Sequence, residues 1–296
     1  EWLEAFNARG KAFASEALLV GEVYDVTRQS ARYVPGAVDL AFDFEIAGKI
    51  LLGARIGEAA SLATAQRDAL AFYEDGAYAA FITNHDQARV MTELNDVRKA
   101  RAAGSLLLTN PGVPFIYYGE ELGMAGGKPD PRIRTPLAWT PDAPGFGFTA
   151  GESWEPFEPG WETANVATQL ADPGSLLAHY RALVRLRDAH PALRRGSTFL
   201  PLRSTAPTVY AFLARRAGDA VAVIVNLGAR AVDDYELELR GASTCPVTRA
   251  TIAYADGLDA TSGVTAPTVG PDGSLRGWRP VPALPPLSTL VVSLGG

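Results

Sequence analysis

Residues 81–89 read Phe-Ile-Thr-Asn-His-Asp-Gln-Ala-Arg, a short apolar run that ends in Asn84, His85 and Asp86. Arg89 stands three residues beyond the Asp. A buried strand of a parallel barrel delivers polar side chains to the mouth of an active site in this way. We therefore predict a strand over residues 79–83 and a functional site directly after it.

The same arrangement occurs upstream, where the apolar run Leu-Leu-Val at 18–20 is followed by Gly, Glu22, Val, Tyr24 and Asp25. Two buried strands that both end near a carboxylate suggest acid and base chemistry on a neutral, polyhydroxylated substrate. Taken alone, Glu22 is as compatible with a helix cap or a surface ion pair as with catalysis. A lone histidine such as His85 is more often a core residue with a satisfied hydrogen bond.

Strands and helices alternate over the first two thirds of the chain. The sequence predicts strands at about 18–20, 38–44, 79–83 and 114–118, and helices at about 1–14, 45–74 and 95–109, the last opened by Asn95. A further helix begins after Ser175 and ends at His190-Pro191. Strands that are apolar on both faces indicate a parallel α/β fold, and four such units are half of a closed eight-stranded barrel.

Residues 124–174 form a long irregular segment that is rich in Pro, Gly and aromatic residues, Trp139 and Trp154 among them. A loop of this length inside a compact domain is usually functional. The aromatic rings are equally suited to stacking against sugars and to holding the loop in place. Asp39 and Asp43, by contrast, are expected to make structural hydrogen bonds rather than to take part in catalysis.

The periodicity changes after about residue 196. Short β-type runs at 208–215, 220–226, 235–239 and 289–294 are separated by Gly, Pro, Asp and Ser, and no helical period remains. We predict two domains, a half-barrel at 1–196 and an antiparallel β-sandwich at 197–296. The helix at 175–190 should join them through a mainly apolar interface.

Composition limits the classes of partner. The chain has 296 residues, of which 47% are hydrophobic and 20% charged, and a net charge of −6 without clustered Lys or Arg. We therefore expect neither nucleic acid nor a membrane as a partner. The single cysteine, Cys245, excludes an intrachain disulfide framework and a cysteine-based zinc site. We expect no cofactor and no metal in this chain.

Three segments resemble the α-amylase family of glycoside hydrolases. Gly-Glu-Val-Tyr-Asp at 21–25 resembles the strand that carries the family's acid, and Asn-His-Asp at 84–86 resembles a later family motif. Residues 111–121, Pro-Gly-Val-Pro-Phe-Ile-Tyr-Tyr-Gly-Glu-Glu, resemble the region of the eighth strand, and we interpret them as structural. The resemblance implies strands 5–8 of a (β/α)8 TIM barrel followed by an antiparallel all-β domain.

The resemblance also implies roles for individual residues. Glu22 would be the general acid, and Asp86 would stabilise the transition state and orient substrate hydroxyls. His85 would bind sugar hydroxyls, while Tyr24 and Asp25 would line the sugar subsites. Apolar neighbours of Glu22 would keep its carboxyl protonated.

Two further residues are assigned a supporting role. Asn84 and Arg89 would orient the carboxylate of Asp86. No residue is assigned as the nucleophile, because the family's Gly-Phe-Arg-x-Asp-like segment has no counterpart in these 296 residues. The segment with the family's usual calcium site is also missing, so calcium is expected only in an N-terminal part outside this chain.

We therefore expect a fragment, or one part of a split enzyme, that derives from a retaining hydrolase of α-1,4-glucans or maltooligosaccharides. Its partners would be the glucan and the missing N-terminal half of the barrel, and the isolated chain should be inactive. The family favours secretion. An α-glucosidase or a glucanotransferase remains open within the family, and so does a non-catalytic relative that binds carbohydrate or a partner protein.

Overall fold

The computed structural model of the chain describes residues 1–240, 247–261 and 263–295. Its first sheet contains four strands, β1 (Val20–Gly21), β2 (Leu40–Phe42), β3 (Tyr78–Ala80) and β4 (Val113–Pro114). They are parallel and lie in the order of the sequence. The four predicted strands are therefore all present, and they form a half-barrel. Cys245, on which the exclusion of disulfides rests, lies outside the described residues.

Helices cover the half-barrel and connect its strands. The α-helices are α1 (Trp2–Phe13), α2 (Thr27–Ser30), α3 (Phe44–Ile56), α4 (Ala60–Phe72), α5 (Val90–Leu94), α6 (Val97–Thr109), α7 (Asp130–Ile133), α8 (Val166–Ala171) and α9 (Leu176–Ala189). Short 3₁₀ turns occur at Ala31–Tyr33, Glu74–Gly76, Glu120–Leu122 and Pro191–Leu193.

Two of the predicted helix boundaries were wrong. The helix predicted at 45–74 is two helices, because Gly57 adopts φ +76° and ends α3 before α4 begins. Asn95 does not open α6 but ends α5 in the left-handed conformation, with φ +47°. Asp96 caps α6 instead, since its side chain accepts a hydrogen bond of 2.8 Å from the Arg98 amide.

Other predicted local features are confirmed. Ser175 caps α9 by accepting a hydrogen bond of 3.1 Å from the Ala178 amide. Asp39 accepts a 2.7 Å bond from the Leu19 amide and pairs with Lys11, which holds the residue before β1 against β2. Asp43 caps α3 directly after β2. Burial raises the pKa of the Asp43 carboxyl, although the hydrogen bonds it accepts work in the opposite direction.

The second sheet contains seven antiparallel strands. They are β5 (Thr198–Ser204), β6 (Val209–Arg216), β7 (Asp219–Asn226), β8 (Leu237–Leu239), β9 (Arg249–Asp256), β10 (Leu275–Trp278) and β11 (Thr289–Gly295). Their spatial order is β10-β8-β5-β6-β7-β11-β9, so among the residues that the structure describes they form one continuous, curled sheet. The antiparallel character is as predicted, and the β-sandwich arrangement stays a prediction.

Both faces of the central strands β6 and β7 are buried. Tyr210, Phe212 and Val223 point to one face and join a cluster that also contains side chains of α6 and α9. The alternate residues Ala211 and Ile224 point to the other face and join a cluster formed within the curled sheet itself. Because side chains alternate along a strand, one sheet closes its own core and also covers the helices of the half-barrel. The division into domains at 196/197 stays a prediction.

A partly buried polar network adds to this apolar contact. Arg101 on α6 binds Asp256 on β9, with its Nε 3.1 Å from both carboxylate oxygens. His179 on α9 lies 2.9 Å through Nε2 from the Arg101 carbonyl, and its Nδ1 lies 2.6 Å from the Tyr254 hydroxyl. A carbonyl can only accept, so Nε2 carries the proton and Nδ1 accepts from Tyr254. Burial, assisted by the charge of Arg101, lowers the pKa of His179 to about 4.

This network predicts a loss of stability in mild acid. The folded chain holds His179 neutral, whereas the unfolded chain binds the proton below its ordinary pKa of 6.5. The free energy of unfolding should therefore fall as the pH drops from about 6.5 to about 4, by at most about 1.4 kcal/mol per pH unit. His179→Gln should remove this part of the slope in urea titrations at several pH values.

His85→Gln is the matched control, because that histidine is exposed. It should leave the slope between pH 4 and 6.5 close to that of the unmodified chain. A His179→Gln slope equal to that of the control would contradict the assignment of His179 as the buried neutral group.

Candidate active site

The carboxyl ends of β1 and β3 lie at the same edge of the parallel sheet. Glu22 follows the last residue of β1 directly, and Asn84, His85 and Asp86 follow β3 after three more residues. One strand, β2, separates them, so the two strand ends are roughly 10 Å apart. The fold thus brings Glu22, His85 and Asp86 to one edge, while their roles in catalysis stay predictions.

The turn after β3 is fixed by Asn84. Its side-chain oxygen accepts a hydrogen bond of 3.0 Å from the amide of Asp86, a local contact that sets the direction in which the Asp side chain leaves the backbone. His85 and Asp86 are both exposed, and His85 Nε2 lies 3.6 Å from an Asp86 carboxylate oxygen. Asn84 therefore positions Asp86 through its backbone.

Arg134 is the residue of this site that sequence reasoning missed. It lies in the long loop directly after α7. Its Nη2 is 2.6 Å from Asp86 Oδ1 and 3.0 Å from Asp130 Oδ2, and its Nε donates a 2.9 Å bond to the His85 carbonyl. The loop was predicted to be functional, but nothing in the spacing of an Arg 48 residues beyond Asp86 shows that the two side chains meet.

The start of this loop is anchored to the segment after β4. The hydroxyls of Tyr117 and Tyr118 donate bonds of 2.9 and 2.8 Å to the carbonyls of Ile133 and Thr135, on either side of Arg134. Two tyrosines thereby fix the backbone from which Arg134 reaches Asp86.

Arg89 is buried against the same segment after β4 and stabilises it. It is 1% exposed, its Nη1 donates a 2.7 Å bond to the Tyr118 carbonyl, and its guanidinium lies 4.6 and 4.7 Å from the ring centroids of Tyr117 and Tyr118. These contacts stabilise the strand end that carries the loop. The predicted effect of Arg89 on the Asp86 carboxylate would therefore act through Tyr118 and the loop.

Glu22, Tyr24 and Asp25 lie on the surface of this half-barrel. Tyr24 is 81% exposed and packs edge-on against Phe44, with ring centroids 4.6 Å apart. Asp25 accepts a 2.8 Å bond from the Val26 amide. Glu22 is exposed, so the described residues do not enclose it in the apolar surroundings that the sequence predicted. A general acid needs such surroundings, which must come from elsewhere if Glu22 has this role.

Part of the aromatic loop is held by its own rings. Phe146 is buried and lies 4.5 Å, centroid to centroid, from both Phe157 and Trp161. Trp139 and Trp154 are instead 51% and 63% exposed. Phe146, Phe157 and Trp161 therefore hold the loop in place, whereas Trp139 and Trp154 are accessible to solvent at its surface.

Neither a metal site nor a membrane segment is found in the part of the chain that the structure describes. No group of three or more His, Cys, Asp or Glu side chains is arranged there to hold a metal ion. No helix over those residues is both long and apolar enough to cross a bilayer.

Comparison with known families decides the family of this chain. A family model described as the catalytic domain of alpha-amylase matches residues 1–196, the whole half-barrel with its long loop. The chain belongs to the alpha-amylase family. This alpha-amylase family chain is thus related to glycoside hydrolases, and its Asn-His-Asp edge lies within the matched catalytic domain.

Curated relatives include several activities. Alpha-amylase 3 of Dictyoglomus thermophilum is 36% identical over an alignment of 201 residues that covers 66% of this chain and 40% of that protein. An oligo-1,6-glucosidase of Halalkalibacterium halodurans is 30% identical over 194 residues, covering 52% of this chain and 34% of that protein. A trehalose synthase of Pimelobacter sp. is 34% identical over 160 residues, covering 49% and 27%. The alpha-amylase family chain therefore spans less than half the length of these relatives.

A solved structure covers both parts of the chain. The crystal structure of the alpha-amylase from H. orenii is similar over 99% of this chain and 56% of its own, with a TM-score of 0.79 and 28% identity. The match confirms the predicted fold, a partial TIM barrel followed by an antiparallel β domain.

A buried acid lies in the segment after β4. Glu120 follows β4, is 2% exposed, and accepts a 3.2 Å bond from the Tyr180 hydroxyl on α9. Burial, followed by the nearby charge of Glu121, raises the pKa of Glu120 to about 8. The carboxyl is therefore largely protonated at neutral pH and joins β4 to α9, in agreement with the structural interpretation of residues 111–121.

The raised pKa of Glu120 predicts a second effect of pH on stability, opposite in sign to the effect of His179. The folded chain retains the Glu120 proton up to about pH 8, whereas the unfolded chain loses it near 4.5. The free energy of unfolding should fall as the pH rises through this window, by at most about 1.4 kcal/mol per pH unit. Glu120→Gln, an uncharged isostere, should flatten that fall and raise stability above pH 8.

Urea titrations between pH 5 and 9 measure this effect. Glu152→Gln, which changes an exposed glutamate, is the control and should follow the unmodified chain. If Glu120→Gln and Glu152→Gln give the same pH dependence, the buried carboxyl does not carry the raised pKa.

Proposed function

We propose that this chain supplies the general acid and the transition-state stabiliser of a retaining glycosidase that acts on α-1,4-glucans or maltooligosaccharides. One observation carries the proposal. Two carboxylates, Glu22 and Asp86, follow parallel strands at one edge of a sheet within an alpha-amylase catalytic domain. Carboxylates so placed on either side of a sugar can protonate a glycosidic oxygen and stabilise the oxocarbenium-like transition state.

Each residue has a distinct task in this proposal. Glu22 donates its proton to the leaving oxygen, and Asp86 binds ring hydroxyls more strongly in the transition state than in the ground state. His85 bonds to a neighbouring hydroxyl. Asn84 and Arg134 hold the Asp86 carboxylate in place, the first through the backbone and the second through a 2.6 Å ion pair.

The nucleophile belongs, in this proposal, to a part of the enzyme outside these 296 residues. A retaining mechanism needs it about 5–5.5 Å from the acid. The exposure of Glu22 and the spacing of the strand ends support the idea that further barrel strands complete the site. Those strands would also provide the apolar enclosure that raises the pKa of a general acid.

The glucan substrate is inferred from the relatives. Of the three relatives described above, alpha-amylase 3 has the highest sequence identity to this chain, and the H. orenii protein is also an alpha-amylase. Hydrolysis of internal α-1,4 bonds is therefore the proposed reaction. Release of single glucose units, or transfer to another sugar, would instead identify an α-glucosidase or a glucanotransferase. Analysis of the products decides between these reactions.

The experiment compares this chain alone with a chimera that carries the first half of the H. orenii barrel fused ahead of Glu1. Release of reducing sugar from maltoheptaose is measured for both, with the intact H. orenii enzyme as the positive control. The chain alone should be inactive, because general acid catalysis without a nucleophile forms no glycosyl-enzyme. The folded chimera should hydrolyse the substrate.

Variants of the chimera test the individual roles. Glu22→Gln should reduce hydrolysis of maltoheptaose by about 10²–10⁴-fold and should have much less effect on a substrate with a good leaving group. Asp86→Asn should reduce both reactions. Glu16→Gln, an exposed glutamate six residues before the acid, is the matched control.

Two results would contradict the proposal. Turnover by the purified 296-residue chain would mean that it contains its own nucleophile. A chimera whose circular dichroism matches that of the H. orenii enzyme, but which does not hydrolyse maltoheptaose, would favour a non-catalytic relative.

A further inference from the structure

A groove of about 660 Å³ runs along the outer side of α3, and we call it the α3 groove. The segment after β1 forms one wall with Tyr24 and Asp25, and α3 forms the other from Phe44 to Arg55. From Phe44 to Arg55 the helix rises by roughly 16 Å, so the groove suits an elongated ligand. Its volume lies within the range of small-molecule sites in proteins, about 300–1,000 Å³.

The lining combines apolar surface with polar groups of both signs. The Tyr24 ring, held edge-on by Phe44, presents an exposed aromatic face, and Leu52 adds aliphatic surface. Two carboxylates, Asp25 and Glu45, and two cations, Lys49 and Arg55, also line the groove.

Because Arg55 is paired with Glu93, the remaining charges of the lining are two carboxylates and one cation. The groove therefore favours a neutral ligand over phosphate or nucleic acid. A pyranose chain has this chemistry, because its C–H faces suit aromatic rings and its hydroxyls suit charged side chains on the rim.

Several rim side chains are already held in place. Glu45 accepts a 3.1 Å bond from the Thr27 amide, and Arg55 forms an ion pair with Glu93. A ligand that bonds to them does not have to order long, mobile side chains first, which lowers the entropic cost of binding.

The α3 groove begins beside the candidate acid. Tyr24 is two residues beyond Glu22, so a sugar stacked on this ring would lie next to the bond that Glu22 would cleave. We propose that the α3 groove binds the part of an α-glucan chain that extends away from the cleaved bond. The inference rests on the proposed function for the identity of the ligand, and it assigns the outer face of α3 as the surface that selects long substrates.

Gly48 offers a direct way to close the groove. It lines the groove in the middle of α3, and a Cβ built on it meets no atom within 4 Å. Gly48→Phe should therefore fold and place its ring in the groove. Gly10 in α1 is the matched control, because it is also helical and exposed and its added Cβ also meets nothing within 4 Å.

The test is binding of maltoheptaose to the 296-residue chain, measured by isothermal titration calorimetry, which needs no nucleophile. Gly48→Phe and Tyr24→Ala should each weaken binding by about tenfold or more, and Gly10→Phe should bind like the unmodified chain. Gly48→Ala, with one methyl group in the groove, should bind more tightly than Gly48→Phe. Cellohexaose, whose β-linked chain is straight, should bind more weakly than maltoheptaose.

The outcomes separate this inference from the proposed function. If the chain does not bind maltoheptaose, or if folded Gly48→Phe binds it as Gly10→Phe does, the α3 groove is not the glucan site, even if the chimera hydrolyses glucans. If binding depends on Gly48 while the folded chimera is inactive, the groove assignment stands and the catalytic proposal fails. Self-association that Gly48→Phe abolishes, in sedimentation without sugar, would make the groove a contact between copies and overturn the proposal.

Discussion

The parallel pairing of β1, β2, β3 and β4 is the constraint on which the rest of this molecule depends. Each strand has only two or three residues, yet the pairing from Val20 to Leu40 and from Ala79 to Val113 fixes their common direction. Because parallel strands end at the same edge, every segment that leaves this sheet emerges on one side of it. Glu22 and the Asn-His-Asp turn lie at one edge for that reason, and the loop reaches the same edge from the segment after β4. An antiparallel exchange of any one strand would remove its side chains from the site.

The support for that edge extends across the whole chain. The seven-stranded sheet packs one face against α6 and α9, and the network of Arg101, His179 and Asp256 fixes the helices to β9. From α9, Arg187 donates to the carbonyls of Leu108, Asn110 and Gly112, the turn that leads into β4. The segment after β4 then carries the loop of Arg134. A side chain that binds Asp86 is thus positioned by a sheet more than sixty residues further along the chain.

Sequence reasoning succeeded where one physical rule dominates and failed where two compete. Buried strands, helical periodicity and the change to alternation near residue 196 follow directly from side-chain burial, so these elements were predicted. The break at Gly57 and the cap at Asp96 were missed because helical periodicity continues across them while the backbone conformation of single residues ends or starts the helix.

The residues of the candidate site also fall into two groups, those that the sequence could locate and those that it could not. Residues adjacent to a strand, Glu22 and Asp86, can be located from the sequence, since the strand fixes where they emerge. Arg134 could not be located, because its position depends on the path of a long loop held by two tyrosine hydroxyls. The surroundings of Glu22 could not be predicted from the sequence either. The sequence shows its apolar neighbours along the chain, but its exposure depends on which strands stand beside β1.

The central claim is that this edge holds half of a retaining active site and that the nucleophile lies in the other half. The most direct test is to trap the glycosyl-enzyme in a form assembled from two separate polypeptides, this chain and the first half of the H. orenii barrel, with a slow fluorinated α-glucosyl fluoride. Intact-mass spectrometry then reads each polypeptide separately. The account predicts one added glycosyl group on the barrel half and an unchanged mass for the 296-residue chain. A glycosyl group on this chain, at Glu22, Asp86 or any other residue, would contradict it.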